Sequence, residues 1–340
     1  MVQLSRTRRH VVGRASVAIL AAAATLAVAG CGSDDNSSTG TAGGGGGSAS
    51  GKKITLVTGV KGDEFYITMA CGAQREADRL GVQLDVQSPD EFDPSKQVPI
   101  VNAVAAAKPD ALLIAPTDQS ALYAPIKQIA DAGSKVVLVD TTLEHDDVAV
   151  SQIATDNRAG GKEAARALAD LIGGSGKVLL IGFRAGVSTD DLRGQGFREG
   201  AEELGLELVG TEYSDNKPEK AASIIKAALA RDPDLKGVFA TNSFASEGAA
   251  TGLREADAQD KVRIVGFDAG PVQVDQLRQN LVQALIAQQS AEIGRLGVEQ
   301  AVNALEGRRV EARIGTGSTT ITRDNMDSPE ARAAMDKREC

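Results

Sequence analysis

Residues 53–87, "KITLVTGVKGDEFYITMACGAQREADRLGVQLDVQ", hold one full cycle of the pattern that decides the fold. The run "KITLVT" is rich in β-branched and aliphatic residues and has no polar face, as a strand covered on both sides requires. A turn follows in "GVKGD". Beyond it the apolar residues Ile67, Ala70, Ala73, Ala77 and Leu80 fall at helical spacing, and Gly81 marks the stop. "VQLDVQ" then reads as a second strand. Strand, helix and strand in this order make a βαβ unit, the building block of a parallel sheet.

The same cycle recurs. Apolar runs at 111–116 ("ALLIAP"), 135–140 ("KVVLVD"), 149–155 ("AVSQIAT") and 177–183 ("KVLLIGF") alternate with helical segments. So do those at 206–211 ("LELVGT"), 237–242 ("GVFATN"), 262–268 ("VRIVGFD") and 282–288 ("VQALIAQ"). Four strand–helix units precede about residue 156 and four follow it. About 290 residues from Lys52 onward exceed one typical core, so the pattern predicts an α/β protein of two doubly wound parallel-sheet lobes.

Open α/β sheets bind ligands beyond the carboxyl ends of their strands. The residues found there are Asp63, Phe65 and Tyr66; Ala115 to Asp118; Asp140, Thr141 and Thr142; Arg184 and Arg193; Asn242 to Phe244; Asp268; and Gln288. Phe65 and Tyr66 stand out because the chain has seven Phe, three Tyr and no Trp, yet places two of these aromatics side by side next to two acids. Carboxylates, amides, a guanidinium and aromatics together suit a neutral polyhydroxylated ligand. Carboxylate and guanidinium bind vicinal hydroxyls in pairs, and an aromatic face packs on the C–H face of a sugar ring.

The amino terminus sets the compartment. "MVQLSRTRRHVVGR" is a basic region, "ASVAILAAAATLAVA" an apolar stretch of about 15 residues, too short to span a bilayer, and "VAGC" a lipobox, so residues 1–30 are expected to be a lipoprotein signal peptide cleaved before a lipidated Cys31. "TRRHVV" fits an ordinary basic region and a twin-arginine signal equally. Residues 31–51 are a Gly/Ser-rich tether that cannot bury enough surface to fold. The net charge is −9, and without the four arginines before Cys31 the rest stands at about −13, which argues against nucleic acid or anionic lipid as a partner. In an oxidising space the other two cysteines, Cys71 and Cys340, more often bridge than stay free.

Patterns that suggest an enzyme fail on context, so no catalytic residue, metal or cofactor is expected. "GGSGK" (173–177) has Leu171 where a phosphate loop needs its first Gly and precedes a strand instead of following one. "GQGFREG" (194–200) sits in a helical pattern. Ser188, Thr189 and Asp190 follow a strand but lack a His base, and the two histidines, His10 and His145, offer no metal-ligand spacing.

The stretches "FYITMACGAQREADRLG", "LLIAPTD", "SQIATDNRAGGKEAA", "RGQGFREG", "GVFATN" and "IVGFDAGP" resemble, in order and spacing, the periplasmic sugar-binding proteins of ABC transporters, the ribose-binding-protein-like group of type I solute-binding proteins. The likeness runs from about Ile54 to Asn325. It implies two lobes joined by three crossings, near Thr155-Asp156, Gln288-Gln289 and Gly315 to Ser318, closing on a ligand. The implied lobes are 52–155 with 289–316 and 156–288 with 317–326, followed by a tail, 327–340. The implied ligand contacts are Asp63, Phe65, Tyr66, Asp140, Thr141, Arg184, Arg193, Asn242, Asp268 and Gln288, and Cys71 is implied to pair with Cys340. Ribose binders have Asn at the place of Asp63, Pro at Glu64, Asn at Ala115, Arg at Thr141, an apolar residue at Arg184 and an aromatic at Asn216. These departures imply a sugar or sugar alcohol without naming ribose. The expected protein is a monomer without enzyme activity, lipid-anchored to the outside of the cell membrane and serving a membrane permease. Chemoreceptors and sensor kinases are alternative clients of the same closure. A repressor shares the fold but needs DNA-binding residues where this chain has a signal and tether.

Overall fold

The computed structural model describes residues 48–340; the expected signal peptide, Cys31 and most of the tether lie outside the described residues. The first part runs β1 (Lys53–Val57), α1 (Glu64–Leu80), β2 (Gln83–Gln87), α2 (Pro94–Ala107), β3 (Ala111–Ile114), α3 (Tyr123–Asp131), β4 (Lys135–Val139) and β5 (Ser151–Thr155). The second runs α4 (Asn157–Ile172), β6 (Lys177–Gly182), α5 (Ser188–Leu204), β7 (Glu207–Tyr213), α6 (Pro218–Arg231), β8 (Leu235–Ala240), α7 (Ser243–Glu255), β9 (Arg263–Phe267), α8 (Pro271–Arg278) and β10 (Ala284–Gln288). The chain then returns through α9 (Ser290–Leu305) and β11 (Arg313–Thr316), and ends with β12 (Ser318–Thr322) and α10 (Pro329–Ala334).

Two six-stranded sheets result, ordered β11-β5-β4-β3-β1-β2 and β12-β10-β9-β8-β6-β7. The orders are the same pattern used twice, differing in that β12 is antiparallel to β10 whereas β11 is parallel to β5. In each sheet the order reverses beside the first strand, so the loops after β1 and β3, and after β6 and β8, splay apart and leave a crevice at their carboxyl ends.

Alternate strand residues fill two cores per sheet. In the first sheet Leu113, Val137 and Val139 pack under α1 and α9, while Leu112, Ile114, Val136 and Leu138 pack under α2 and α3. In the second, Leu179, Ile181, Val238 and Ile264 face α6, α7 and α8, and Val178, Leu180, Phe239 and Phe267 face α4 and α5. The fourth expected strand–helix unit of the first half lacks its helix, because β4 connects to β5 by a loop and the face is covered by α9 arriving from beyond the second sheet.

Three passages between sheets lie side by side: Thr155 to Asp156, Gln288 to Gln289, and Thr316 to Ser318. The Thr155 hydroxyl donates to Gln288 Oε1 at 2.6 Å, and Asp156 N donates to Thr316 O at 3.0 Å, so the crossings are stitched to one another. A fourth passage is made by the tail. Ala331 and Ala334 of α10 sit in the second sheet's core. Asp336 N then donates to Ala269 O at 3.0 Å, Lys337 N donates to the Thr68 hydroxyl on α1 at 2.7 Å, and Cys340 is disulfide-bonded to Cys71 on α1.

That bond closes a loop with a sequence separation of 269 residues, which constrains the unfolded chain far more than the folded one. Replacing both partners (Cys71→Ser with Cys340→Ser) should leave the fold intact while lowering stability by about 2–4 kcal/mol, read as a melting temperature about 5–15 °C lower. An unchanged melt under non-reducing conditions would show that the bridge does not constrain the chain.

Candidate functional site

The wall contributed by the first sheet starts with a helix cap. Asp63 has extended backbone and accepts from Phe65 N at 2.9 Å, so one carboxylate oxygen starts α1 and fixes where Phe65 and Tyr66 emerge. Their rings meet edge to face with centroids 5.1 Å apart. Tyr66 Oη donates to Asp140 Oδ2 at 2.7 Å. Burial pushes the Asp140 carboxyl up to about 6, although Arg193 and the Tyr66 hydroxyl act in the other direction. Burial, and then the charge of Asp268, hold Asp63 well above the usual carboxylate range.

The opposing wall is organised around Arg193. Gly161 on α4 lies against the Arg193 carbonyl and Gly196 on α5 against the Arg158 carbonyl, leaving no room for a Cβ at either place; these two helices therefore approach closely and hold Arg193 at their crossing. Its Nε donates to Asn157 Oδ1 and its Nη1 to Thr241 O, both at 2.8 Å, while the guanidinium lies 3.8 Å from the centroid of the Phe267 ring. Nη2 has no hydrogen-bond partner among the described residues and Arg193 lines the cavity, which leaves a donor for a ligand. Asp190 accepts from Phe183 N at 2.9 Å and from the Thr241 hydroxyl. Asn242 caps α7 through its oxygen and donates its amide nitrogen to Asn216 Oδ1 at 2.7 Å.

Two acids occupy matching places in the two sheets. Asp140 follows β4 with φ 64°, and Asp268 follows β9 with φ 73°. Each backbone N–H is taken by the adjacent strand, Asp140 N by Ile153 O at 2.8 Å and Asp268 N by Ile286 O at 2.9 Å. Left-handed backbone is unfavourable for most residues but tolerated by Asp, and it turns each carboxylate off its strand. Gln288 Nε2 donates to Asp268 Oδ1 at 2.7 Å while its oxygen accepts from Thr155, so the crossings and the acid belong to one chain of hydrogen bonds.

These groups enclose a cavity of about 60 Å³ between the sheets. Asp63, Phe65, Tyr66, Asp140, Arg193, Asn242, Asp268 and Gln288 line it. Thr141 and Arg184 do not. The Thr141 hydroxyl turns back to donate to Pro116 O at 2.8 Å, and the Arg184 guanidinium lies 5.0 Å from the Phe183 ring centroid, lining an outer chamber instead. Phe92, Phe183, Val187, Thr189, Asp190, Asn216, Thr241 and Phe244 also line the cavity and are absent from the ten implied contacts, although Phe244 stands among the strand-end residues and Asn216 among the departures from ribose binders. Phe92 follows β2, a strand end that was passed over, and its signal was an aromatic in a chain with few. Asp190 stands one turn before Arg193 on α5, and only the packing of the helix shows that both face inward.

Chemically the cavity offers carboxylate oxygens, amides and one guanidinium between aromatic rings, and its acids outnumber its cations. The lobes also touch directly: Thr142 N donates to the Ser188 hydroxyl at 2.9 Å.

A family profile described as a periplasmic binding protein domain matches residues 54–309. The ribose import binding protein of Salmonella typhimurium is 33% identical over 260 residues, 76% of this chain and 87% of that protein. The ribose import binding protein of Bacillus subtilis is 29% identical over 269 residues, 78% and 87% of the two chains. Among solved structures, an ABC transporter solute-binding protein from Agrobacterium vitis bound with α-D-tagatopyranose superimposes with a TM-score of 0.82 at 42% identity, covering 84% of this chain and 99% of that one. A second from the same species with bound D-fucose gives 0.79 at 28% identity, covering 83% and 99%.

Just behind the cavity, Asp336 accepts from the Ser290 hydroxyl at 2.6 Å, and burial, with the charge of Asp268 next, raises its carboxyl to about 7. A raised acid contributes stability fully below its unfolded value and loses it as pH rises through the folded one, here between about 4 and 7. Asp336→Asn should therefore melt above wild type at pH 8, by a margin bounded at about 4 kcal/mol, and the margin should shrink as pH falls and vanish only below about pH 4. Melting curves of both proteins across that range check the sign.

Proposed function

The chain belongs to the sugar-binding ABC-transporter branch of the periplasmic binding protein family, and on that premise we propose that it captures a neutral sugar or sugar alcohol and delivers it to a membrane permease. The observation that carries this reading is the composition of the cavity: Asp63, Asp140, Asp190 and Asp268 face a single guanidinium, Arg193, in a space of about 60 Å³ walled by aromatics from both sheets. At roughly 10–15 Å³ of such volume per water, this space holds one small ring and not two. Ligand hydroxyls can hydrogen-bond four carboxyl groups in this space, ionised or neutral, whereas a phosphate or carboxylate on the ligand would find one guanidinium among four acids.

Capture needs both halves. The moving lobes are 52–155 with 289–316, and 156–288 with 317–326. Opened, the first keeps Asp63, Asp140, Phe65 and Tyr66, and the second keeps Arg193, Asn242 and Asp268. A ligand bridging them stabilises the closed arrangement by its differential affinity for it, and that arrangement presents both lobe tips to the permease. Gln288 links the crossings to the site, its oxygen accepting from Thr155 and one N–H donating to Asp268, and its second N–H is left for the ligand. The relatives support the substrate class, one being a ribose import protein and two neighbours holding tagatopyranose and fucose. Cys31 is the lipid attachment point that keeps the receptor at the outer face of the cell membrane, and the body performs no chemistry on its cargo.

A thermal-shift panel tests the class. Pentoses, hexoses, ketohexoses and polyols form one arm, and uronic acids, sugar phosphates and amino acids the other. A true ligand at 100 times its Kd stabilises the fold by about 2.7 kcal/mol. At least one neutral sugar or polyol should raise the melting temperature, and Arg193→Ala, Asp140→Asn and Asp268→Asn should each weaken it at least 100-fold without unfolding the free protein. A response confined to amino acids or sugar acids would sink the proposal.

A further inference from the structure

Outside the ligand cavity lies a second chamber of about 460 Å³. Phe92, Phe183, Asn216 and Phe244 line both spaces, so these residues are the partition between them. The outer chamber also carries Lys61, Arg184 and Lys217 against Asp90, Glu91, Asp93 and Asp215, the mixed charges of a wet entrance. Phe92 comes from the loop after β2 and Phe183 from the end of β6, and their rings meet edge to face across the cleft with centroids 5.2 Å apart at 90°. Neither ring is free to wander. A Cβ at Gly59 would come within 2.5 Å of the Phe92 ring, which shows how closely that ring lies on the β1–α1 loop, and Phe183 is buried with the Arg184 guanidinium 5.0 Å from its centroid.

The geometry points to Phe92 and Phe183 as a two-lobe aromatic gate that closes behind the bound ring and restricts the site to single, unextended sugars. This deepens the receptor reading and rests on it. The two halves of the gate belong to different lobes, so the gate exists only in the closed form and parts when the lobes do. Shut, it leaves one-ring space inside; a glycosidic extension would have to pass through the ring pair. Arg184 acts on the gate, and so on the ligand only through it. Asn216, a polar residue in the same partition, provides no stacking face, and the Phe92–Phe183 pair supplies one beside it.

The test uses the full mature chain, wild type, Phe92→Ala and Phe92→Leu, with D-tagatose, D-fucose and D-ribose as single-ring probes and lactulose and melibiose as two-ring probes. Titration calorimetry measures affinity and stopped-flow fluorescence or surface plasmon resonance the rates; melting of the ligand-free variants checks folding. Wild type should bind at least one single-ring probe and reject both two-ring probes by 100-fold or more. Phe92→Ala should dissociate from that single-ring probe about tenfold faster with association changed less than twofold, and should discriminate against two-ring probes at least tenfold less. Phe92→Leu, which restores bulk, should recover most of the exclusion. Equal binding of one- and two-ring probes by wild type, or unchanged dissociation and unchanged discrimination in a folded Phe92→Ala, overturns the gate. Failure of every sugar on wild type defeats the receptor reading first, and is seen before any variant is compared.

Discussion

The left-handed backbones of Asp140 and Asp268 are the constraint on which the rest of the site depends. A strand can end in a side chain that continues the pleat or in one that leaves it, and these two leave. Each spends its N–H on the neighbouring strand, which places the residue at the lip of its sheet, and each has positive φ, which turns its carboxylate off the strand. Because the two sheets share one strand order, the lips come to face each other with an acid on each. The remaining contacts are arranged around that pair: Tyr66 holds the first acid, Gln288 and the Ser243 N–H hold the second, and Arg193 provides the positive charge.

Burying carboxyl groups in an enclosed space is unfavourable in itself, and the charge of Asp268 adds to it, as the raised Asp63 and Asp140 show. The arrangement is useful because a ligand hydroxyl satisfies a carboxylate better than an apolar wall does, and leaving such a group unpaired is costly. Selectivity then follows from what is not offered. One guanidinium, already donating to Asn157 and Thr241, leaves little to hold an anion.

The alternation of apolar runs with helical spacing made the two-lobe plan legible, since strands buried on both faces must be written as continuous apolar residues. The rule that ligands bind past strand ends brought nine residues to the cavity, Phe244 among them. It failed where direction mattered: Thr141 and Arg184 follow strands as Asp140 and Arg193's neighbours do, but nothing local says that one hydroxyl turns to a carbonyl and one guanidinium to a ring. It also missed residues whose elements looked unpromising. β2 is a largely exposed edge strand, so the loop carrying Phe92 drew no attention, and β11 and β12, "RIGT" and "STTIT", are too polar to announce themselves as strands. Their place is set by edges offered by other parts of the chain, which is information the local sequence does not hold.

The return of α9 has a consequence for how the molecule assembles. The face of the first sheet over Leu113, Val137 and Val139 needs Ile293, Val298, Ala301 and Val302 to be covered, and these residues follow the whole of the second lobe in the chain. The second sheet, by contrast, has helices for both faces within residues 157–278. During synthesis the lobe that begins first must therefore wait with one side partly bare, while the lobe that begins later can bury both of its faces sooner. The second lobe is thus covered by helices first but finished last, because Ile321 of β12 and Ala331 and Ala334 of α10 reach its core only after α9 and β11 have completed the first sheet.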